Sequence, residues 1–258
     1  MVELSVIIPT LKSRPEIESV RRLEEQQYDD YEVLVQREDS ATKARNEGIK
    51  RAATEKLVFL DDDSLPTDGY LAHVAELLER EAVVTGKIVH PRDDVVARFT
   101  SHYDRGDEPK YVTRFWGCNA AARREVFENV GLWDEQITWG HEEKELADRI
   151  LHEYPIYYDP ELTVYHPYAD SVRDYWRKQY QLELQTPYLW EKQGVSTSRQ
   201  WVNVFTPALN PVNYVGLSLE HAVARAGGNV ARLAGRLQGM FSKGEPSHST
   251  TTGTTRCD

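Results

Sequence analysis

Cysteine is scarce in this chain of 258 residues, with Cys118 and Cys257 as its two. Two cysteines cannot supply the several bridges of a disulfide-stabilised fold, and neither lies in a Cys/His spacing typical of a structural zinc site. The sequence also lacks the ~18 consecutive apolar residues of a membrane-spanning helix. The N-terminal apolar run is short and follows no basic segment, so it indicates a buried strand and not a signal peptide. We therefore expect a cytoplasmic protein.

Basic residues are outnumbered, with 31 Lys and Arg against 42 Asp and Glu and a formal net charge of −11. A nucleic-acid-binding surface needs clustered Lys and Arg to neutralise phosphates, so this balance argues against nucleic acid as a partner. Hydrophobic residues make up 40% of the chain and aromatic residues 10%. This composition is typical of a globular protein with one sizeable domain.

The first third of the chain alternates between strand-like and helix-like segments. Apolar runs lie at 4–9, 31–36 and 56–60, and helical patterns lie at 15–27, 41–53 and 66–79. This order predicts right-handed βαβ units, and therefore an α/β fold with a mostly parallel sheet flanked by helices. Ligands bind such sheets beyond the carboxyl ends of the strands, where Asp61, Asp62 and Asp63 are expected.

The pattern beyond residue 80 is looser. Strands are expected at 82–89, 111–116, 156–158 and 162–165, and helices at 123–130, 142–153 and 175–192. We divide the chain into a main domain over 1–200, a C-terminal helical segment over 201–241 and a tail over 242–258. The tail is rich in Ser, Thr and Gly, which predicts disorder.

The three consecutive aspartates at 61–63 have a possible metal-binding role. Carboxylates just past a buried strand can hold Mg²⁺ or Mn²⁺, because these cations take oxygen ligands and bridge to phosphate oxygens. An ion there would neutralise charge on a departing nucleoside diphosphate. A solvated acidic turn gives the same sequence, so the surrounding motifs decide between the two interpretations.

Five segments in a fixed order resemble family 2 glycosyltransferases of the GT-A fold. They are SVIIPTLKSRPE, KARNEGIKRA, LVFLDDDSLP, WGCNAAARREVFENVGLWDE and WGHEEKELADRI, and together they span residues 5–150. The resemblance implies a GT-A, Rossmann-like sheet with residues 1–200 as the catalytic domain. It also implies an inverting enzyme that transfers a sugar from a nucleotide-diphosphate donor to a glycan or lipid-linked acceptor, with Mn²⁺ or Mg²⁺ as cofactor.

The resemblance assigns roles to individual positions. Asp63 is implied as a metal ligand, and His166 as a second group that meets the metal or the diphosphate. Glu143 is the implied catalytic base, although acidic residues at a helix N-terminus are also favoured by the helix dipole alone. The positions implied to contact the nucleotide sugar are Pro9, Thr10, Glu38, Asp39, Arg45, Asn46, Asp61, Asp62, Asn119 and Glu142.

Two departures from the family pattern affect these assignments. The family has Asp-Asp-Gly-Ser after its second strand, and this chain has Arg37-Glu38-Asp39-Ser40. Glu38 or Asp39 could recognise the base, so UDP, GDP and other donors stay open. The second departure is Glu143, which lies where the family has Asp and is longer by one methylene.

Residues 219–241 combine an apolar stripe with Arg225, Arg232 and Arg236. Gly227-Gly228 interrupts this pattern, which favours two helices. A basic amphipathic helix can bind an anionic membrane surface, and a helix docked on the main domain explains the pattern as well. Membrane contact would favour a lipid-linked acceptor and a location at the cytoplasmic membrane face.

Three other functions agree less well with the sequence. A sugar-phosphate nucleotidyltransferase would carry a glycine-rich loop after the first strand, and IIPTLKSR contains no glycine. A phosphatase with an aspartate nucleophile would carry its motif after the first strand and not the third. A non-catalytic protein that binds nucleotide sugars or glycans would have lost turnover, and the acidic residues at the metal and base positions argue against it.

Overall fold

A computed structural model describes residues 2–99, 103–206 and 211–242 of the chain. In these ranges eight strands form one mixed sheet, in the order β2-β1-β3-β7-β5-β8-β4 with β6 also paired to β8. The strands are β1 (Leu4–Pro9), β2 (Tyr31–Gln36), β3 (Lys56–Phe59), β4 (Leu65–Pro66), β5 (Val83–Val89), β6 (Lys110–Val112), β7 (Ala120–Arg123) and β8 (Ile156–Tyr165).

The α-helices of the described ranges cover both faces of the sheet and continue beyond it. They are α1 (Glu18–Glu24), α2 (Ala41–Arg51), α3 (Tyr70–Arg80), α4 (Arg124–Val130), α5 (Glu142–Ile150), α6 (Val172–Leu184), α7 (Thr186–Lys192), α8 (Thr197–Phe205) and α9 (Leu219–Phe241). We call residues 4–80 the N-terminal region and α6–α9 the helical unit. No helix in the described part of the chain has both the length and the hydrophobicity that a bilayer span requires.

The parallel βαβ arrangement predicted for the N-terminal region is confirmed. β1 pairs in parallel with both β2 and β3. Because helices cover both faces, β1 is apolar along most of its length: Val6 and Ile8 face one core and Ile7 the other, and all three are fully buried. Each such side chain contributes about 1.5–3 kcal/mol of burial free energy.

Strand β7 was not predicted. It lies antiparallel between β3 and β5 and makes the sheet mixed, while β5 and β8 are again parallel. Its residues Ala120, Ala121 and Ala122 are short and have little preference for strands, so the local sequence does not mark them. The α/β class holds, because β7 only joins the two parallel parts.

Several element boundaries differ from the sequence prediction. β8 is one strand over 156–165, and it accommodates a register shift between Gly86 and Lys87 of β5. The strand expected at 111–116 is limited to 110–112. The helix expected at 175–192 is two helices that meet at Gln185, because Pro187 lacks an N–H group and suits the first turn of a new helix. α8 runs from Thr197 to Phe205 and crosses the domain boundary at 200, which stays a prediction.

The C-terminal segment is one helix, so the prediction of two helices was wrong. Gly227 and Gly228 lie inside α9 at the point where it packs on α6. A Cβ at Gly227 would approach the Trp176 ring to 2.2 Å, and Trp176 Nε1 donates to the Ala224 carbonyl at 2.8 Å. The two glycines are therefore contact residues and not helix breakers.

Cys118 is a free, buried thiol. Cys257 and the predicted disordered tail lie outside the described residues from position 243 onward.

Candidate active site

The carboxyl ends of β1 and β3 open onto a cleft of about 1100 Å³. Its walls come from the ends of these strands, the start of α2, the start of α5 and one side of α6. Of the site residues predicted from the sequence, the cleft is lined by Pro9, Thr10, Glu38, Asp39, Arg45, Asp61, Asp62, Asp63, Glu142, Glu143 and His166. Residues from five separate segments of the chain therefore meet in one place, as the resemblance implied.

A tight turn follows β3 and presents the three aspartates. The Asp61 N–H donates to Ser64 Oγ at 3.2 Å, and the Ser64 N–H donates back to the Asp61 carbonyl at 3.1 Å. The buried Ser64 hydroxyl donates to the Cys118 carbonyl at 3.0 Å and ties the turn to the segment before β7. The turn is thus fixed from beneath.

Each aspartate of the turn has a different cationic partner. The partners are Arg45 Nη2 at 2.9 Å from Asp61 Oδ1, Lys12 Nζ at 2.9 Å from Asp62 Oδ1, and His166 Nδ1 at 3.0 Å from Asp63 Oδ1. Thr10 also donates its hydroxyl to Asp62. Asp62 is therefore used to hold the end of β1, whereas Asp61 and Asp63 face His166.

The residues around His166 fit a divalent cation. Donor atoms of Asp61, Cys118 and His166 lie within 4.8 Å of one another, and His166 also pairs with Asp63. Carboxylate oxygens and an imidazole nitrogen suit Mn²⁺, and the carboxylates also suit Mg²⁺. Burial raises the pKa of Cys118 well above its usual value, which favours the neutral thiol while no cation is bound.

Without a cation, the surroundings of His166 favour its protonated form. Burial opposes this charge, but the neighbouring carboxylates of Asp63 and Asp61 outweigh it and raise the pKa of His166. For Asp63, burial favours the neutral form, yet His166 lowers the pKa of this carboxyl overall. Because a ligating imidazole is neutral, cation binding here would release a proton.

Arg45 is a buried positive charge beneath the cleft. Its side chain is 3% exposed, and its Nη1 lies 3.6 Å from Glu142 Oε1 while Nη2 pairs with Asp61. The guanidinium lies 4.8 Å from the centre of the Trp133 ring. Arg45 thus connects the aspartate turn to the start of α5.

Glu143 lies at the N-terminus of α5. Its Oε1 accepts the Gly117 N–H at 2.6 Å, which fixes the direction of the carboxyl group. Burial and then the negative charge of Glu142 raise the pKa of Glu143 to about 8. A carboxylate with a raised pKa is a stronger base, so Glu143 is suited to take a proton from a hydroxyl group.

The turn before α5 is strained. His141 has φ 65°, the left-handed conformation that costs a non-glycine residue about 1–2 kcal/mol, and Gly140 before it has φ 78°. His141 was not predicted as a site residue, and it lines the cleft next to Glu142 and Glu143.

The segment after β2 gives Glu38 and Asp39 different surroundings. Glu38 Oε2 is a buried oxygen with no hydrogen-bond partner among the described residues. Asp39 is exposed and pairs with Lys43 at 3.0 Å. Arg37 does not line the cleft, and its Nε donates to the Lys12 carbonyl at 3.3 Å. Glu38 is therefore the better placed of the two candidates for base recognition.

Asn46 and Asn119 differ from the expectation, since neither side chain lines the cleft. Asn46 exchanges hydrogen bonds of 3.0 Å with the backbone of Trp133. Asn119 accepts from the Tyr70 hydroxyl at 2.8 Å and donates to the Leu162 carbonyl at 2.8 Å. Asn46 joins α2 to the loop at Trp133, and Asn119 joins α3 to β8, so their roles as ligand contacts stay predictions.

Several cleft residues lie outside the segments that carry the resemblance, or were not singled out within them. Tyr103, Trp116 and Tyr168 form an aromatic group, with ring centres 4.8 Å and 6.0 Å from that of Tyr103. The cationic and remaining lining residues include Arg105, Arg114, Trp139, His141 and Lys178. Trp116, Trp139 and His141 lie within the resembling segments, whereas the others come from the loosely patterned half of the chain, where only the aromatic content of α6 gave a signal.

Residues 36–131 match the family model described as glycosyl transferase family 2. The matched segment includes Arg45 and the aspartate turn, and it ends before Glu143 and His166. No curated protein matches the sequence.

Three solved structures have similar folds. The mannosyltransferase PcManGT from Pyrobaculum calidifontis, in complex with GDP-Man and Mn²⁺, is 18% identical with a TM-score of 0.60 over 93% of this chain and 88% of that one. GalNAc-T7 with UDP, GalNAc and Mn²⁺ is 16% identical with a TM-score of 0.54 over 88% and 54%. TarS from S. aureus, in complex with UDP, is 15% identical with a TM-score of 0.52 over 94% and 92%. At these identities the likeness shows the fold, which is GT-A, and the predicted resemblance is confirmed.

Proposed function

From the family 2 match over residues 36–131 and the GT-A fold, we propose that this protein is a glycosyltransferase that uses a nucleotide-diphosphate sugar. The sugar passes to an acceptor hydroxyl in a single displacement that inverts the anomeric carbon. One observation carries the proposal: a single cleft holds a carboxylate–imidazole group suited to a divalent cation and, on α5, a glutamate whose pKa is raised to about 8.

Asp61, Asp63 and His166 would hold Mn²⁺ or Mg²⁺, which supplies charge neutralisation to the diphosphate leaving group. Glu143 accepts the proton of the acceptor hydroxyl. At the same time the oxygen of that hydroxyl bonds to the anomeric carbon, and the bond from this carbon to the diphosphate breaks. The Gly117 N–H orients the Glu143 carboxylate for this transfer. Alignment of the two substrates by the cleft lowers the entropic part of the barrier.

We assign base recognition to Glu38. Its buried, unpaired oxygen can accept a hydrogen bond from the ring N–H of uracil or of guanine. This chemistry agrees with neighbours whose complexes contain GDP-Man or UDP. The preferred base is therefore expected to be uracil or guanine.

Peripheral membrane association at the cytoplasmic face, with a lipid-linked acceptor, is a second part of the proposal. Arg236 pairs with Glu183 inside the protein, so it does not face a membrane. Support comes instead from exposed apolar side chains at the start of α9 and just before it, namely Val215, Leu219 and Val223. Binding to vesicles with anionic lipid should be lost in Leu219→Ser/Val223→Ser, and equal binding of this variant would contradict the membrane contact.

Thermal unfolding with UDP, GDP and CDP, each with and without Mn²⁺, tests the donor site. A ligand at ~100 times its Kd stabilises the folded state by about 2.7 kcal/mol. We expect a metal-dependent increase in Tm with UDP or GDP that Asp63→Ala removes. Asp68→Asn, an exposed aspartate outside the cleft, is the matched control and should keep the increase.

The outcomes separate this function from its alternatives. No metal-dependent increase with any nucleotide would contradict the donor site. Nucleotide binding without hydrolysis or transfer of the sugar would favour a non-catalytic binding protein.

A further inference from the structure

The strained turn before α5 lies directly against the helical unit. A Cβ at Gly140 would approach Leu182 of α6 to 2.8 Å at Cδ1 and 3.0 Å at Cα. Gly140 therefore needs glycine both for its φ of 78° and for this close contact. The left-handed residue His141 follows it and precedes the first residue of α5.

His141 is tied to α7 through its side chain. Its Nε2 lies 2.8 Å from the Thr186 hydroxyl, and this hydroxyl donates to Glu183 Oε2 at 2.6 Å. A hydroxyl has one hydrogen to donate, so Thr186 accepts from His141 and donates to Glu183. The imidazole therefore carries its proton on Nε2, and the direction of each hydrogen bond is defined.

The chain of contacts continues to α9. Both oxygens of Glu183 accept from Arg236, with Nε and Nη2 each at 2.6 Å. Arg236 Nη1 also donates to the Asn203 carbonyl of α8 at 3.1 Å. The Glu183 and Arg236 side chains are 5% and 12% exposed, so this two-pronged pair is shielded from water. We call His141, Thr186, Glu183 and Arg236 the His141–Arg236 chain.

On its other side, His141 determines where α5 begins. The Glu145 N–H donates to the His141 carbonyl at 2.9 Å, so the first turn of α5 is built on the backbone of His141. Glu143 lies within this turn and reaches the Gly117 N–H at 2.6 Å. A change in the backbone at His141 would consequently move the Glu143 carboxyl group.

We propose that Thr186, Glu183 and Arg236 are positioning residues, which hold His141 in its left-handed conformation and so fix Glu143 from the helical unit. The catalytic consequence rests on the proposed function, because it assumes that Glu143 is the base. The structural part does not. The placement of Glu143 can be observed at the Glu145 amide in the first turn of α5 and at the Gly117 amide, which bonds to the Glu143 carboxyl group.

Thr186→Val tests the structural part, since valine keeps the shape of threonine and removes the hydroxyl. Hydrogen exchange is measured at two amides, Glu145, which bonds to His141, and Gly117, which bonds to Glu143. We expect both to exchange at least ~10-fold faster. Trp176→Phe is the matched control, because it removes a hydrogen bond between α6 and α9 outside the His141–Arg236 chain. It should leave both amides unchanged.

Kinetics test the catalytic part. A displacement of about an ångström can slow a reaction ~100-fold, so Thr186→Val should lower kcat by about 10- to 100-fold and leave the KM for the donor within about twofold. Glycine tolerates a positive φ, so His141→Gly removes both the strain and the tie to Thr186. Thr186→Val should therefore have no further effect on kcat in the His141→Gly background.

Unchanged exchange at Glu145 and Gly117 in Thr186→Val would overturn the proposal, whether or not sugar transfer is observed. Equal losses of kcat in Trp176→Phe, or in the presence and absence of His141→Gly, would also overturn it, since the effect would then be general loosening of the fold. Faster exchange at both amides in a protein without transferase activity would keep the positioning role and reject the proposed function.

Discussion

The sequence predicts the elements of the N-terminal region more closely than those of the helical unit. In residues 4–80 the strands β1, β2 and β3 begin and end within one residue of the predicted positions. In α6–α9 one predicted helix is two helices, and a predicted break is a continuous helix. Both regions are well packed, so the difference does not arise from order against disorder.

The two regions differ in what determines the meaning of a residue. A run such as LSVIIP is a buried strand in almost any context, because its apolar side chains require cover on both faces. Gly227-Gly228 has no such fixed meaning: it ends a helix exposed to water and permits close packing beside Trp176. Local pattern determines the first region, and tertiary neighbours determine the second.

The largest effect is expected at Glu143 on α5, which lies outside both regions. Glu143→Gln keeps the shape and can still accept the Gly117 N–H, but it cannot take a proton. Loss of general base catalysis should lower kcat about 10²- to 10⁴-fold with donor affinity unchanged, as measured by steady-state kinetics and nucleotide titration. Retained turnover would assign the base to another residue.

A second large effect is expected at Arg45, which connects the N-terminal region to α5. Arg45→Met leaves Asp61 and Glu142 without their buried counter-charge and should lower the free energy of unfolding by about 3–5 kcal/mol. Urea denaturation measures this loss. Arg80→Met removes an exposed ion pair with Glu76 and should cost less than about 1 kcal/mol. Similar losses in the two variants would show that Arg45 is not a buried electrostatic support.

The site was predictable to the same extent as the fold. Asp61, Asp63, Arg45 and Glu143 lie in ordered segments at strand and helix ends, so their convergence follows from the topology. Neither His141 nor Lys178 could be predicted, because their places depend on how the helical unit packs against the cleft. Asn46 and Asn119 lie within recognised segments, yet their side chains bond to Trp133 and Leu162, which do not line the cleft. A motif therefore locates a residue on the chain but does not give the direction of its side chain.

Gly235→Ala tests the claim that packing determines glycine in the helical unit. Alanine favours a helix over glycine by about 1 kcal/mol, so propensity alone predicts a more stable protein. The added Cβ would lie 2.3 Å from the Tyr180 carbonyl of α6, which is backbone and cannot rotate away. We expect the free energy of unfolding to fall by about 1–3 kcal/mol, as measured by chemical denaturation. Exposed Val230→Ala on the same helix is the control, and a stabilised Gly235→Ala would contradict close packing of α9.

The smallest predicted effect on rate is a pH dependence that arises from Glu143. Its pKa is raised to about 8 from the ordinary value of 4.5, so the folded protein binds a proton here that the unfolded chain releases. The stabilisation from this proton is complete below pH ~4.5 and is lost as pH rises through about 8. The base form increases over the upper part of this range, so kcat/KM should rise about tenfold from pH 7 to pH 9. Glu143→Gln should flatten the stability profile, whereas Glu161→Gln, an exposed glutamate outside the cleft, should retain both trends. A rate that falls over this interval would mean that Glu143 acts in its protonated form, and the base would then have to be sought among the other carboxylates of the cleft.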